Sequence, residues 1–473
     1  CFTFSDSFWF NAVEAEVYAM ATMIMALLFW LGFKWEENID KKGGDRWLVL
    51  ISFVVGLSFG VHFMGLLVIP AIGMIYFFKK NPSPTFKGFV LANILSVTIL
   101  LFIFKLLLPS SLGLFGYLEV FFVNDLGLPF NSGTIFSALL IIAFFYFGIK
   151  KTREKKWIKI NTFLLCVMFV FIGFSSWLMI PIRSNANTVI NENAPSDARA
   201  LLAYYNLEQY PDTHLFYGPM FSDAYAGQDP NNPYKDDKPK YEKDLLKNKY
   251  IIVNDWESGK INSNNEHVGF LPRMWSADKA SNYMNYFGYL DFEIKNEYKS
   301  EDKLTEIVNQ FKADFNEGDV DSNGYHEFLT QYGGYLDIKK PNLFSNLKYL
   351  FQYQMSSMYW RYFMWNFSGK QNDLQWKYDL LNGNWISGIK FIDELRLGSQ
   401  ENLSSDVLNN KGRNKYYFLP LILGIIGLLF LFKEDKNLFW IVTLLFLFTG
   451  LALKVYLNER IFEPRERDYA LVG

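Results

Sequence analysis

Apolar residues in this chain gather in blocks near the length of about 20 residues that a helix needs to cross a bilayer. Candidate spans run over 8–33, 88–108, 132–149, 158–181, 416–432 and 438–456. The block 47–78 is too long for one crossing. Gly60 and His62 lie near its middle and Pro70 lies further on. It therefore reads as two short helices with an apex near Gly60-Val61-His62. The stretch 182–415 has a different texture. Polar turns such as Asp229-Pro230-Asn231-Asn232-Pro233 separate strand-like runs such as Tyr250-Ile251-Ile252-Val253, which predicts a mixed α/β domain. Within 346–365, Leu347, Leu350, Phe351, Met355, Met358, Tyr359, Tyr362 and Phe363 recur at helical spacing. Trp360, Arg361 and Trp365 suit a membrane–water interface. A core helix of the α/β domain accounts for the pattern equally well.

Charge then orients the spans. The loop Lys150-Lys151-Thr152-Arg153-Glu154-Lys155-Lys156 is strongly basic, and Lys79, Lys80 and Lys87 form a second basic loop. Lys34, Lys41, Lys42 and Arg46 form a third, and Lys433 and Lys436 lie in the last short loop. If 47–78 is a hairpin, all four fall on one side, which the positive-inside bias makes cytoplasmic. The opposite loop, 109–133, carries no Lys or Arg. The chain thus divides into transmembrane helices over 1–182, an extracytoplasmic α/β domain over 183–345, an interfacial helix with a connecting segment over 346–415, and C-terminal transmembrane helices with an outer tail over 416–473.

Composition narrows the class further. Of 473 residues, 51% are hydrophobic and 20% charged, below the roughly 25% charged of a soluble domain. A net charge of -2 supplies no global field for nucleic acid. Two cysteines, Cys1 and Cys166, are too few for a disulfide framework or a cysteine-rich metal site. The chain begins at Cys1 and stops just after Asp468-Tyr469-Ala470-Leu471-Val472, which reads as an internal piece of a longer protein. The rival reading makes Cys1 a processed lipoprotein cysteine.

Polar residues in costly places are the candidates for chemistry. Glu14 and Glu16 fall within the first apolar block, where a carboxylate is expensive unless it faces a cavity or a partner. Their i, i+2 spacing puts them on different helix faces. His62 lies at the hairpin apex beside Gly56, Ser58 and Gly60, and could hydrogen-bond a substrate or shuttle a proton. Glu16, Glu14 and His62 are the candidate catalytic groups. Lys105, near the outer end of its span, either snorkels or meets an anionic head group. Arg183 follows the span 158–181, with Asn191, Glu192 and Asn193 close behind. Arg465, Arg467 and Asp468 follow the last span. Arginine forks suit phosphate oxygens, so these eight residues are candidate substrate ligands. The bland reading of each is interfacial, salt-bridged or domain-docking charge. No HExxH, P-loop, dinucleotide GxGxxG or GxSxG occurs. His214, His267 and His326 are scattered, so no metal site is assigned. Asn366-Phe367-Ser368 fits a glycosylation triplet that is common by chance.

Several longer strings carry a resemblance. They are Phe8-Trp9-Phe10-Asn11-Ala12-Val13-Glu14-Ala15-Glu16-Val17-Tyr18, Gly56-Leu57-Ser58-Phe59-Gly60-Val61-His62, Pro181-Ile182-Arg183-Ser184-Asn185-Ala186-Asn187, Asn191-Glu192-Asn193-Ala194-Pro195, Glu208-Gln209-Tyr210, Tyr359-Trp360-Arg361-Tyr362-Phe363-Met364-Trp365-Asn366-Phe367 and Pro464-Arg465-Glu466-Arg467-Asp468-Tyr469. In this order they resemble a large family of bacterial multi-pass proteins of unknown function, related to GT-C glycosyltransferases and protein O-mannosyltransferases. The resemblance covers nearly the whole chain.

It implies a GT-C-like, α-helical multi-pass membrane protein with a mixed α/β extracytoplasmic domain, in the bacterial inner membrane. It implies transfer of a sugar, mannose, from a polyprenyl-phosphate carrier to a protein hydroxyl at the extracytoplasmic face. The partners would be that donor, a protein acceptor and the bilayer, with no nucleic acid. No cofactor is evident, and dependence on a divalent metal stays open. The family's expected Gly-Asp…Glu pattern and His-Pro-Pro-Gly-Tyr-like string are absent here and would precede Cys1. Glu16 is then a supporting acid or substrate ligand, and the piece alone would be inactive. The alternatives are a non-catalytic scaffold of an envelope or secretion complex, and a lipid-linked-sugar transporter. A transporter more often places its charges near the bilayer midplane in paired repeats. Here they cluster toward one face.

Overall fold

The computed structural model describes residues 5–14, 16–186, 188–210, 212 and 214–471. Cys1, Asn187, Val472 and Gly473 lie outside the described residues, and with Cys1 goes the lipoprotein reading. Cys166 is a free, partly buried thiol.

The first apolar block is two helices, α1 (Asp6–Val13) and α2 (Tyr18–Asn38). Glu14 and Glu16 lie in the break between them and not inside a span, which corrects the expectation of one continuous helix over 8–33. The cost of a carboxylate in lipid is avoided by interrupting the helix where the carboxylates fall. The predicted hairpin is present. Helix α3 (Asp45–Ser58) turns over residues 59–62, and a 3-10 segment, Phe63–Val68, leads into α4 (Ile69–Lys80).

Helix α5 (Phe86–Leu101) passes through a π-helical segment, Phe102–Leu107, into α6 (Leu108–Asn124). Together they form one largely apolar run of 39 helical residues without a break. At 1.5 Å per residue that is about 58 Å, roughly twice the hydrocarbon thickness of about 30 Å. The stretch 109–133, free of Lys and Arg, is therefore mostly helix and not loop. Its signal was the absence of Lys and Arg, which continued helix satisfies as well as an outer loop does. Helices α7 (Ser132–Glu154) and α8 (Ile158–Phe174) follow as an antiparallel pair, and α8 packs against α3. A Cβ on Gly56 would lie 2.1 Å from the Val170 carbonyl oxygen, and one on Gly173 would lie 2.2 Å from that of Phe53. These reciprocal glycines let the two backbones touch. The C-terminal helices are Leu419–Glu434, then Lys436–Phe446 continuing through a π-helical segment, Leu447–Ala452, to Leu453–Leu457.

Among the described residues, six helices are long and apolar enough to cross a membrane: Tyr18–Asn38, Phe63–Lys80, Phe86–Asn124, Ser132–Glu154, Ile158–Ser184 and Lys436–Leu457. Their outward faces carry exposed Ile, Leu and Phe, as at Ile135, Leu139, Ile142 and Phe147, a surface suited to lipid.

The polar region is a helix-and-strand domain with, among the described residues, four separate two-stranded antiparallel sheets. Its core joins Phe221, Tyr283, Phe287, Phe292, Phe328 and Leu329 to Tyr349, Tyr353, Tyr362 and Trp365. The stretch 346–365 thus contributes one face to the domain core, as the core-helix reading required. Its other face meets the last membrane helix, where a Cβ on Gly450 would lie 2.5 Å from the Tyr359 hydroxyl. The domain also docks on α6. The Asn124 side chain pairs with both the N–H and the carbonyl of Tyr250 at 2.8 Å.

Candidate functional site

The tail after Leu457 is not a loose outer extension. Asn458, Glu459 and Ile461 are fully buried, because the segment threads along the π-helical stretch Leu350–Trp360. The Tyr349 hydroxyl and Gln354 amide donate to the Glu459 carbonyl at 2.9 and 2.8 Å, and the Phe462 N–H donates to the Tyr353 hydroxyl at 2.8 Å. Arg361 forks onto Glu466 at 2.7 and 3.2 Å, and the Tyr362 hydroxyl donates to the same carboxylate. Burial opposes ionisation of Glu466, yet the Arg361 guanidinium and these hydrogen bonds hold its carboxyl below the usual range.

This anchoring brings residues 465–469 to the α1–α2 break. Arg465 donates to a Glu16 carboxylate oxygen at 2.8 Å. Its Nε donates to the Tyr469 hydroxyl at 3.2 Å and its guanidinium lies 4.7 Å from that ring's centroid. The Glu16 contact and then Tyr469 raise the Arg465 pKa further above its ordinary value. Tyr469 packs on Tyr18, the first residue of α2, at 4.7 Å, and Tyr18 packs on His62 at 5.0 Å. The start of α1 closes the same region: the Ser7 hydroxyl donates to Asp468 at 2.9 Å and the Ser7 N–H donates to the Asn366 side-chain oxygen at 3.2 Å. Glu16, Arg465, Tyr469, Tyr18 and His62 thus form one continuous line from the helix break to the hairpin apex.

His62 has a defined role within that line. Its Nδ1 accepts from the Met64 N–H at 3.2 Å, capping the 3-10 segment. An accepting Nδ1 leaves the neutral ring's proton on Nε2, so the free nitrogen is a donor and not a base.

The other candidates are placed less centrally. Glu14 is exposed, and its carboxylate has no partner among the described residues. Arg467 pairs with Glu463 at 3.2 Å within the tail, and Asp468 accepts from Ser7 of α1. Lys105 is not at the end of a helix. It lies in the π-helical segment of the long helix, with its ammonium 4.9 Å from the Phe104 ring and 6.0 Å from Tyr456. Phe104 in turn packs on Phe63, next to His62, at 5.2 Å. Arg183 is exposed and makes no side-chain contact with Glu16 or His62 among the described residues. Of its followers, Asn191 binds the Ser184 carbonyl at 3.0 Å, while the side chains of Glu192 and Asn193 are unpartnered among the described residues. No group of three metal-binding side chains occurs among the described residues.

Residues outside the candidate set also matter. Tyr18 and Tyr469 make the line continuous, but a single aromatic among so many carries no signal of its own. Glu119, buried on α6, accepts from the N–H groups of Asn131 and Thr134 at 2.6 and 2.9 Å and from the Tyr250 hydroxyl at 3.2 Å. Its signal was present: a carboxylate in an apolar stretch.

A helical multi-pass architecture with one polar site at a helix break and a hairpin apex is the class that fold and site define. Among known families, the N-terminal domain of protein O-mannosyl-transferase TMEM260 matches residues 1–85. A family of unknown function, DUF8416, matches residues 211–351. No curated protein and no solved structure matches. The likeness to O-mannosyltransferases therefore rests on α1 through α4, the elements that carry Glu16, Tyr18 and His62.

Proposed function

We propose that this chain belongs to a membrane glycosyltransferase that moves a sugar, mannose, from a polyprenyl-phosphate carrier to a protein hydroxyl at the extracytoplasmic face. The observation that carries the reading is the O-mannosyl-transferase domain match over residues 1–85, which contains both Glu16 and His62. In the reaction the acceptor oxygen bonds to the anomeric carbon while the bond from that carbon to the phosphate oxygen breaks. The hydroxyl proton passes to a base, and negative charge collects on the departing phosphate.

Arg465 suits that phosphate. Its side chain is 60% exposed although it is paired, so an incoming anion can take over part of the fork. Glu16, released from the arginine, is then free to accept a hydrogen bond from a sugar or acceptor hydroxyl. The Nε2–H of His62 donates at the other end of the line. Lys105 borders the same aromatic wall and supplies a second cation for the lipid phosphate. The α/β domain would hold the acceptor segment.

The test is transfer from polyprenyl-phosphate mannose to a serine peptide by the full-length protein in membranes, per folded molecule, with donor concentration varied. Removing Arg465 (Arg465→Ala) is expected to slow transfer on the order of 30- to 1,000-fold, which corresponds to about 2–4 kcal/mol of transition-state stabilisation. Wild-type turnover in Arg465→Ala would remove the arginine from the mechanism. The pairing of Arg467 with Glu463 and of Asp468 with Ser7 favours a second reading, a non-catalytic scaffold. No transfer from any polyprenyl-phosphate sugar by folded full-length protein would select it. The orientation is tested separately, by impermeant cysteine labelling on intact cells. Position 232 is expected to react and position 155 to be spared, and the reverse pattern would invert the topology.

A further inference from the structure

A groove elsewhere in the molecule shares no lining residue with the line of Glu16 to His62. It lies along the α7–α8 pair and has a volume of about 820 Å³. Ile142, Phe145, Ile149 and Arg153 succeed one another at i, i+3 and i+4 spacing, so one face of α7 forms one wall. Phe171 and Ile172 of α8 form the other. Phe145 is buried at the base of the groove and packs on Phe171 at 5.9 Å between centroids, whereas Ile142 and Ile172 are 64% and 47% exposed on its rims.

The two ends of the groove differ. From residue 141 to residue 154 it follows α7 for about 20 Å, more than the ~15 Å depth of one leaflet's hydrocarbon. Its length is apolar apart from Ser175 at one end. At the other end stand Lys150 and Arg153, with Glu154 as the single carboxylate. Neither cation pairs with a carboxylate among the described residues. The surrounding segment, 150–156, holds five Lys or Arg residues and that one Glu. Both helices meet the length and composition of membrane spans, so the groove opens to lipid. A charged head over an apolar trough one leaflet deep is the shape of a single phospholipid.

We infer that this groove binds one anionic glycerophospholipid, with an acyl chain along Ile142, Phe145 and Ile172 and the phosphate at Lys150 and Arg153. The inference does not rest on the glycosyltransferase reading. A second copy of the chain is the rival occupant. Two copies inserted with the same orientation would bring their 150–156 clusters together in one leaflet, and the like charges would repel. An anionic head group neutralises the same cluster, with each cation near the surface favouring it severalfold.

The experiment is native mass spectrometry of the full chain, released from detergent after equilibration with phosphatidylglycerol and phosphatidylcholine of identical acyl chains. The wild type is expected to retain one phosphatidylglycerol per chain in preference to phosphatidylcholine. The double variant Lys150→Ala/Arg153→Ala is expected to lose that preference by on the order of tenfold. Filling the trough with Ile142→Trp is expected to lower retention of both lipids. All three positions are exposed, and unchanged thermal unfolding verifies that the variants are folded. Equal retention of the two lipids by the wild type would overturn the inference, as would undiminished retention in both variants. A polyprenyl phosphate that outcompetes phosphatidylglycerol would overturn the choice of occupant. Disulfide cross-linking of Ile142→Cys between copies, with lipid excluded, would make the groove a protein interface.

Discussion

Two ion pairs of nearly equal length bracket the chain's last turn. Lys454 and Glu459 meet at 2.7 Å with side-chain exposures of 0% and 1%, while Arg465 and Glu16 meet at 2.8 Å with exposures of 60% and 28%. Distance does not separate them, but water does. Taking both members of the first pair out of solvent carries a large desolvation cost, so neither can lose its partner without stranding a charge. The second pair remains hydrated, contributes little to folding and can exchange partners. The inner pair therefore holds the tail in place, and the outer pair is available to a ligand.

Glu459→Ala should give the largest effect. It leaves the Lys454 ammonium buried without its carboxylate, 5.4 Å from the Tyr362 ring centroid and within the field of the Arg361 and Arg467 guanidinium groups. A loss of about 3–5 kcal/mol is expected, read as lowered thermal stability or abundance in membranes. Stability close to wild type would show that water reaches Lys454 and would erase the contrast between the pairs. Glu466→Gln should come next, at about 2 kcal/mol, because it removes charge-assisted bonds to Arg361. It also sharpens the comparison through pH. The Glu466 carboxyl is held below its ordinary value in the folded protein. Its contribution is present above the unfolded value of about 4.3 and fades as pH falls through the lower folded value. Wild type should therefore lose stability more steeply than Glu466→Gln on acidification below about pH 4. Parallel acid unfolding curves would count against the Arg361 pairing. The smallest stability effect is expected for Glu16→Ala, under about 1 kcal/mol. A stability loss as large as that of Glu459→Ala would make the outer pair structural and remove it from the proposed site.

The same contrast applies to the two faces of the stretch 346–365. Tyr349, Tyr353, Tyr362 and Trp365 are buried in the domain core, whereas Phe351 and Trp360 on the same stretch remain 63% and 43% exposed. A helical aromatic pattern reports that one face is covered, and it does not name the cover. Interfacial lipid and a protein core ask for the same residues.

Much of the fold could be read in advance because bilayer thickness imposes a length on apolar runs and every backbone polar group in lipid must be satisfied within its own helix. The α7 and α8 spans, the hairpin apex at Gly60-Val61-His62 and the small residues at Gly56 followed from that local physics. The break at Glu14 and Glu16 did not, because a 26-residue apolar block accommodates a helix and its interruption equally well. Nor could the partners of the tail be read, since Ser7 lies 461 positions from Asp468 and Glu16 lies 449 from Arg465. Residue type alone determined that Glu16, His62 and Arg465 were costly polar groups awaiting partners. Only the tertiary structure decided which of them meet, because a salt bridge or ring contact depends on separation in space, and long-range chain return sets that separation without leaving a periodic trace in the sequence.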